Sequence, residues 1–453
     1  MYKSKGNKFS ASSYRPIAGL TFICKVFERI LFDIILKYTS TKLNSHQHGF
    51  RQGYSCNSAT SLFSQAIYDA LDDKNGQLVA VYIDLAKAFD TVNINLLIRK
   101  LILEFRLPSE IIKLLYFHLK NRFIKFTMFN TNQEFSQERG IPQGACLAPY
   151  LFSLFINDIS KSLTIPHILY ADDLVLYLSN TSPNYLSLIQ TNLDNLVAWC
   201  DKNDLKINEQ KCKVMCFTKR KYDFSHKFKI NNIELELVNS FKYLGIIFDS
   251  NMTFKNHFDS VRVKMDINLS RIRNIKRCLS DKAFVMLFNA YVLPIVDFCI
   301  EIWLVHPGTK VKILQNKIEK AFLEFFYCKK TRRKHSKLNN TKYILNIFKN
   351  FNIMTIEERQ KLFTLNRVLR SYCNIEHCKE ISSWFVFKKS RGTSRTPAIA
   401  HKTALFKKSF RYRSGLLWNS IPPKITLDAS NYHISSTWLR SWIIEKRTDD
   451  FIY

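Results

Sequence analysis

Three aspartates in this sequence stand where carboxylates can meet. Asp84 closes the apolar run Leu78-Val79-Ala80-Val81-Tyr82-Ile83, which is long enough for a buried strand. Asp172 and Asp173 follow Tyr170-Ala171 and lie between Ile168-Leu169 and Leu174-Val175-Leu176-Tyr177, two strand-forming runs whose short connection predicts a hairpin. A carboxylate at the tip of a core strand can hold a metal ion above the sheet, or can simply cap the helix that follows. Adjacent carboxylates repel each other, at a cost that a divalent cation removes. The chain contains its own comparison, because Asp72-Asp73 runs on into Lys74-Asn75-Gly76, an ordinary solvated turn, and Asp449-Asp450 lies in a polar tail. Only Asp172-Asp173 is squeezed between strand formers. Three carboxylates on two strands satisfy two-metal phosphoryl transfer, in which two Mg²⁺ ions about 4 Å apart activate the attacking hydroxyl and steady the leaving group.

Several elements must position these acids. Short β-like runs cover 78–83, 168–170, 174–178 and 243–248. Helical spacing appears at Ile94, Leu97, Ile98 and Leu101, and again at Ile112, Leu115, Tyr116 and Leu119, with Pro108 breaking between them. It returns at Leu193, Leu196, Val197 and Cys200, and at Phe284, Leu287, Phe288 and Tyr291. Gly and Pro number eleven each, and their densest cluster is Gly140-Ile141-Pro142-Gln143-Gly144 with Pro149 just after. Helices and strands mix up to about residue 250, and beyond it the pattern is mainly helical and basic. A boundary is expected at 249–254, and a second at His306-Pro307-Gly308.

Bulk properties exclude several classes. With 46% hydrophobic, 14% aromatic and 23% charged residues the composition is globular, not disordered. No apolar run reaches the roughly 18 residues of a membrane span; the best, from Ala283 to Ile300, is broken by Asn289, Pro294 and Asp297. The amino terminus leads into no apolar segment of the secretory type, so no signal peptide is expected. The net charge is +31, and it is unevenly spread: residues 1–250 hold 30 basic and 22 acidic side chains, residues 251–453 hold 38 and 15. Such asymmetry points to a polyanion, nucleic acid or an anionic membrane surface, for the second half. The eleven cysteines include no Cys-x-x-Cys pair and complete no zinc set, as expected of free thiols in an intracellular protein.

The order of motifs resembles the reverse transcriptase of non-LTR (LINE-like) retrotransposons, of the Jockey and CR1 type. Tyr14-Arg15-Pro16-Ile17 with Cys24-Lys25-Val26-Phe27-Glu28 resembles the family's opening finger motif, and Gln47-His48-Gly49-Phe50-Arg51 its second. Asp84 through Phe89-Asp90 is similar to the first palm motif, and Gly140 to Gly144 with Leu147-Ala148-Pro149 to the second. Tyr170 to Asp173 resembles the metal-binding box, Leu205-Lys206-Ile207-Asn208 with Lys211 the next palm motif, and Phe241-Lys242-Tyr243-Leu244-Gly245 the primer grip. The likeness is strong over residues 6–250. It continues more loosely through Tyr291, Pro294 and Trp303 to Leu417-Trp418-Asn419-Ser420-Ile421-Pro422.

The resemblance implies an α+β right-hand polymerase: fingers and palm at 1–250 with an antiparallel sheet and flanking helices, a helical thumb at 251–306, and a mainly helical, basic nucleic-acid-binding region at 307–453. It implies RNA-directed DNA polymerase activity, with Asp84, Asp172 and Asp173 as catalytic ligands of two Mg²⁺, for which Mn²⁺ can substitute. RNA template, DNA primer and dNTPs are the implied partners, no membrane is, and the implied location is the nucleus and cytoplasm. Phe89 is placed as the steric gate beneath the incoming sugar, unless it is only core. Gln143 and Gly144 approach the nucleotide and template base, Gly144 because it lacks a side chain. Arg51 is a triphosphate contact, guanidinium pairing well with phosphate, unless it is simply solvated. Lys211 is an acid or positive neighbour toward the pyrophosphate, or an exposed surface lysine. Tyr243, Leu244 and Gly245 contact the primer. Asp90 reads as structural. The run Lys329, Lys330, Arg332, Arg333, Lys334, near Phe325, Phe326 and Tyr327, reads as an RNA contact, a nuclear-import signal or a solvated loop.

The family carries an endonuclease upstream, and nothing in these 453 residues corresponds to it. The first finger motif lies next to Met1, and no Cys/His zinc knuckle is recognisable in the tail. A different-class alternative is a catalytically idle remnant that binds RNA or DNA; the survival of Asp84, Asp172 and Gly144 favours the enzyme. An RNA-dependent RNA polymerase is disfavoured by Phe89, and by Tyr170-Ala171 where Gly precedes the aspartates in such enzymes.

Overall fold

The acid-bearing strand lies inside a sheet, because its side chains are apolar on both faces. The computed structural model describes all residues except 1–6, 8, 11–13, 15–16, 121, 129–130, 138, 220–223, 306–307, 327–336, 391–392, 423–429 and 450–453. Arg15-Pro16, the expected boundary at His306-Pro307, and the basic run Lys329 to Lys334 lie outside the described residues. Two compact units emerge, each assembled from several segments. The first comprises 1–59, 78–216 and 223–238, the second 60–77, 217–222 and 239–453.

In the first unit, β1 (Gln77–Asp84) is buried along its six central residues. Strands β2 (Arg122–Met128) and β3 (Thr131–Gln137) form a separate antiparallel hairpin. The strands β4 (His167–Tyr170) and β5 (Asp173–Ser179) form the predicted hairpin, and β5 pairs antiparallel with β1. With β6 (Lys213–Thr218), β7 (Lys229–Ile230), β8 (Ile233–Glu234) and β9 (Glu236–Leu237) introduced, the five-stranded sheet has the order β4-β5-β1-β6-β9. The expected antiparallel sheet is therefore mixed. Lys213 and Val214 pair in parallel with Glu236 and Leu237, because a small β7–β8 hairpin intervenes before the chain returns.

Helices cover this sheet. They are α1 (Phe22–Thr39), α3 (Ala88–Thr91), α4 (Ile94–Leu103), α5 (Ser109–Lys120), α6 (Ala148–Phe155) and α7 (Tyr185–Lys202), while α2 (Cys56–Ala70) has only its first four residues in this unit. Helix α4 buries Ile94, Leu97, Ile98 and Leu101, the stripe its spacing predicts, and Asn93 caps it by accepting from Asn95 and Leu96 N–H. Helix α6 carries Pro149 in its first turn and is buried on every side except at that proline. Its Tyr150 hydroxyl meets Thr39 Oγ1 at 2.7 Å. Lys100, on α4, is partly desolvated and donates to the Phe155 carbonyl at 2.7 Å and to Asp158 at 2.6 Å. One continuous core runs from Leu31 through β1, α6 and α7 to Leu235.

The second unit is helical, as the sequence pattern predicts. Its last segment opens on the hairpin β10 (Ser240–Tyr243) and β11 (Ile246–Asp249), where a single strand over 243–248 was expected. Leu244 and Gly245 both adopt left-handed backbone, φ 44° and 89°, and so make a two-residue turn inside that run. Ten helices follow among the described residues: α8 (Lys255–Asn274), α9 (Asp281–Tyr291), α10 (Leu293–Asp297), α11 (Ile300–Trp303), α12 (Thr309–Phe326), α13 (Lys337–Asn350), α14 (Ile356–Tyr372), α15 (Lys379–Ser383), α16 (Phe410–Asn419) and α17 (Tyr432–Asp449). Phe284 stacks on Phe325 at 4.0 Å and edges against Phe322, joining α9 to α12. A reciprocal Thr355–Glu358 capping box starts α14, and Arg359 pairs with Asp297. No helix among the described residues is long and apolar enough to cross a membrane, and the described cysteines are all free.

Candidate active site

The β1–β5 register sets Asp84 directly opposite Asp173. Antiparallel partners lie about 4.5–5.5 Å apart, so two carboxylates far apart in sequence become neighbours. Asp172 stands one residue before, in the turn that Ala171 makes by taking φ 55°. Asp173 keeps solvent access at the first position of β5, but its surroundings are crowded. Burial first, then the charges of Asp172 and Asp84, push its carboxyl up to about 6. Negative charge is thus concentrated beyond what the protein neutralises, as expected where an all-oxygen donor set receives a hard cation. Among the described residues no three His, Cys, Asp or Glu side chains already converge as a metal cage. The fit to a divalent cation rests on the register, the carboxylate chemistry and this charge.

The segment after β1 is held by the Leu205–Asn208 motif. Leu85 and Ile207 form an antiparallel bridge, Asn208 N–H donates to the Asp84 carbonyl at 2.8 Å, and Ala86 N–H donates to the Lys206 carbonyl at 2.7 Å. This pairing brings Lys211 Nζ within 3.2 Å of Asp84 Oδ2. Beneath the acid, the Cys212 sulfur accepts from Asp84 N–H at 3.4 Å. Burial, against the bond from the Asp84 N–H, pushes that thiol up to about 11, so it stays protonated.

The glycine-rich loop is tied to the same strand end. Gly140 N–H donates to Val92 O and Ile141 N–H to Phe89 O, at 2.8 and 2.9 Å. A Cβ on Gly140 would stand 2.5 Å from the Asp90 carbonyl, and its φ is 82°, so glycine is required twice over. Asp90 Oδ1 accepts from Gln143 Nε2 at 3.0 Å. Phe89 is half-buried, its ring stacked on Phe152 at 4.6 Å.

The loop's far side rests on Glu28, which is 1% exposed. Its carboxylate meets His118 Nε2 at 2.9 Å and accepts from Cys146 N–H at 2.9 Å. Burial raises this carboxyl, but the bonds from His118, Cys146 and the Leu147 backbone prevail and hold it below its ordinary value. Arg51 donates to the Asn44 carbonyl at 2.8 Å, and its guanidinium lies 4.2 Å over the Tyr54 ring. The first unit thus holds Asp84, Asp172, Asp173, Phe89, Gln143, Gly144, Lys211 and Arg51. Tyr243, Leu244 and Gly245 belong to the second unit, where Tyr243 is buried and packs edge-on against Phe63 at 5.5 Å. The supports given by Glu28 and Cys212 had no signal in spacing or periodicity, because each accepts from a backbone N–H far away in sequence.

The family model described as reverse transcriptase (RNA-dependent DNA polymerase) matches residues 3–248, over half of the chain. The chain is 30% identical over 355 residues to the probable RNA-directed DNA polymerase from transposon BS of Drosophila melanogaster, covering 73% of this chain and 38% of that protein. It is 26% identical over 328 residues to the RNA-directed DNA polymerase from mobile element jockey of Drosophila funebris, covering 68% and 35%. The chain therefore spans little more than a third of the length of these relatives. Among solved structures, apo telomerase from Candida tropicalis matches 80% of this chain and 61% of its own at 12% identity, with a TM-score of 0.40. Every acid of the β1–β5 site falls inside the matched residues, and the chain belongs to the reverse transcriptase family, with the polymerases of Jockey-type non-LTR retrotransposons among its relatives.

Proposed function

We propose that this chain extends a DNA primer on an RNA template, using dNTPs. The observation that carries the reading is the Asp84–Asp173 pairing with Asp172 in the adjoining turn. Asp84, Asp172 and Asp173 would hold two Mg²⁺, or Mn²⁺ in their place. Bound metal supplies an acidified primer 3′-hydroxyl and neutralises charge on the reacting phosphates. Lys211, beside Asp84, lends positive charge or a proton to the departing pyrophosphate. Phe89 excludes the 2′-hydroxyl, Gln143 is oriented by Asp90 toward the base pair, Gly144 lets the backbone approach the nucleotide, and Arg51 contacts the triphosphate on leaving its stack on Tyr54.

Residues 1–250 serve as fingers and palm in this reading, 251–306 as thumb and 307–453 as the basic nucleic-acid-binding region. Tyr243, Leu244 and Gly245 grip the primer, and the Lys329 to Lys334 run holds RNA. The protein works in the nucleus and cytoplasm. Primer extension on an RNA template, comparing dNTPs with rNTPs, tests the reading. Mg²⁺-dependent dNTP addition is expected. RNA binding without any extension would instead identify an idle nucleic-acid-binding remnant.

A further inference from the structure

The side-chain amide of Gln47 is 1% exposed and faces the turn that carries two of the acids. Its Oε1 accepts from Gly49 N–H at 2.8 Å and from Ala171 N–H at 3.2 Å. Ala171 immediately precedes Asp172 and is the residue held at φ 55°. The flanking backbone is pinned too. His48 N–H donates to the Leu169 carbonyl at 2.8 Å and Leu169 N–H to the His46 carbonyl at 2.9 Å, so residues 46–48 run parallel beside β4. Gly49 completes the clamp, since a Cβ there would lie 2.4 Å from Ala171 N and 3.0 Å from the Tyr170 carbonyl carbon. No side chain other than hydrogen fits between the two backbones.

Gln47 Nε2, also buried, has no hydrogen-bond partner among the described residues. Leaving a buried donor unpaired is unfavourable. Rotating the amide would be worse, because its NH₂ would then face two N–H donors that need an acceptor. The carbonyl must therefore face the turn, and an amide that only filled the core would not need to accept this arrangement. A residue that merely spaced the fingers from the palm would need neither the double acceptor nor the bare glycine.

We propose that Gln47 and Gly49 are positioning residues, holding the Tyr170–Asp173 turn in the backbone geometry that lets Asp172 and Asp173 share a divalent cation with Asp84. This rests on reading the three aspartates as cation ligands. Neither residue touches the reacting atoms. Groups that orient metal ligands change metal affinity or turnover by about 10- to 100-fold when removed, and that is the scale expected here.

The test uses the full chain and three variants. Gln47→Met keeps the shape and removes the acceptor, Gln47→Glu keeps both acceptor bonds, and Gly49→Ala wedges the turn. Mn²⁺ binding is followed by the electron paramagnetic resonance of the free ion, on protein alone. Thermal melting reports folding, and Mg²⁺ titration of primer extension reports activity. Gln47→Met and Gly49→Ala should weaken Mn²⁺ binding and raise the Mg²⁺ needed for half-maximal extension by about tenfold or more, with dNTP KM changed far less. Gln47→Glu should restore Mn²⁺ affinity to within about threefold of the parent. The proposal is overturned if Gln47→Met binds Mn²⁺ like the parent. It is also overturned if Gln47→Met and Gln47→Glu are impaired alike in melting and metal binding, which is the mark of a merely structural residue. A parent chain that binds no Mn²⁺ overturns the reading of the aspartates as well. A parent that binds it beside unaffected variants overturns the positioning role alone.

Discussion

Lys211 Nζ lies 3.2 Å from Asp84 Oδ2, so the first acid of the site is met by a lysine from the segment leading into β6. Both side chains are open to water, 67% and 38% exposed, and such pairs contribute at most about 1 kcal/mol. Lys211→Ala should therefore leave thermal stability nearly unchanged. Extension should fall by about tenfold or more through loss of a cation at the leaving phosphate. Melting curves and single-nucleotide addition rates on the same preparation check both halves.

Removing a charged ligand removes the metal's grip while leaving the nucleic-acid surface intact. Asp84→Asn and Asp172→Asn are expected to abolish extension with RNA binding nearly unchanged. Asp173→Asn should be severe but leave a trace. Parent-like extension by Asp172→Asn would defeat the two-metal mechanism.

Phe89 is stacked on Phe152 and only half-buried. Phe89→Ala should raise rNTP use more than it alters dNTP use, since a steric clash discriminates and its loss costs selectivity first. Being only partly buried, the ring should cost about 1–2 kcal/mol, less than the roughly 3–5 of a full core phenylalanine. Unchanged dNTP:rNTP ratios alongside a larger stability loss would assign the ring to the core alone.

His167 gives the fold an acid-sensitive point. Burial, against a bond with the Ile165 carbonyl and aided by His46, lowers its imidazole to about 4. The unfolded chain takes up this proton near pH 6.5, the folded chain only near 4. Stability is therefore fully present above about pH 6.5 and is lost as pH falls toward 4, by about 3 kcal/mol for this one group. Denaturant unfolding of the parent and of His167→Gln between pH 7 and 4 measures it. The variant's curve should be flatter, and parallel curves would rule the group out.

Residues 251–453 carry 38 basic against 15 acidic side chains. Neutralising phosphates releases counterions, so affinity for RNA should fall with salt at a log–log slope of roughly 0.7–0.9 per phosphate. Replacing Lys329, Lys330, Arg332, Arg333 and Lys334 with alanine should flatten that slope and shorten products more than it slows single additions. Overlaid salt titrations with matching product lengths would leave the run an import signal or a solvated loop.

The acids, their strands and the helical second half were legible because they depend on local pattern. An apolar run ending in Asp84 and a hairpin around Asp172-Asp173 need no knowledge of distant partners, and the α4 stripe of Ile94, Leu97, Ile98 and Leu101 is buried as its period requires. The turn at Leu244-Gly245 was missed because a leucine at φ 44° contradicts its own propensity, and only Gly245 hinted at it. The parallel β6–β9 edge was missed because two-residue strands carry no periodicity. Glu28 and Gln47 escaped for a different reason. Their partners are backbone N–H groups more than a hundred residues away, which no spacing rule encodes.

The pairing of residue 84 with residue 173 also sets when the site can exist during synthesis. The intervening chain holds the β2–β3 hairpin and four helices that form from local contacts, whereas β1 must wait for β5. Closing so long a loop is slow compared with making a helix or a two-residue turn. A chain still on the ribosome that has not released β5 has its apolar central strand lacking both neighbours, β5 and the later β6, and a single acid at its tip. Chelating capacity therefore arrives late and all at once, and a nascent fragment short of that point presents a sticky strand edge before it presents any affinity for a cation.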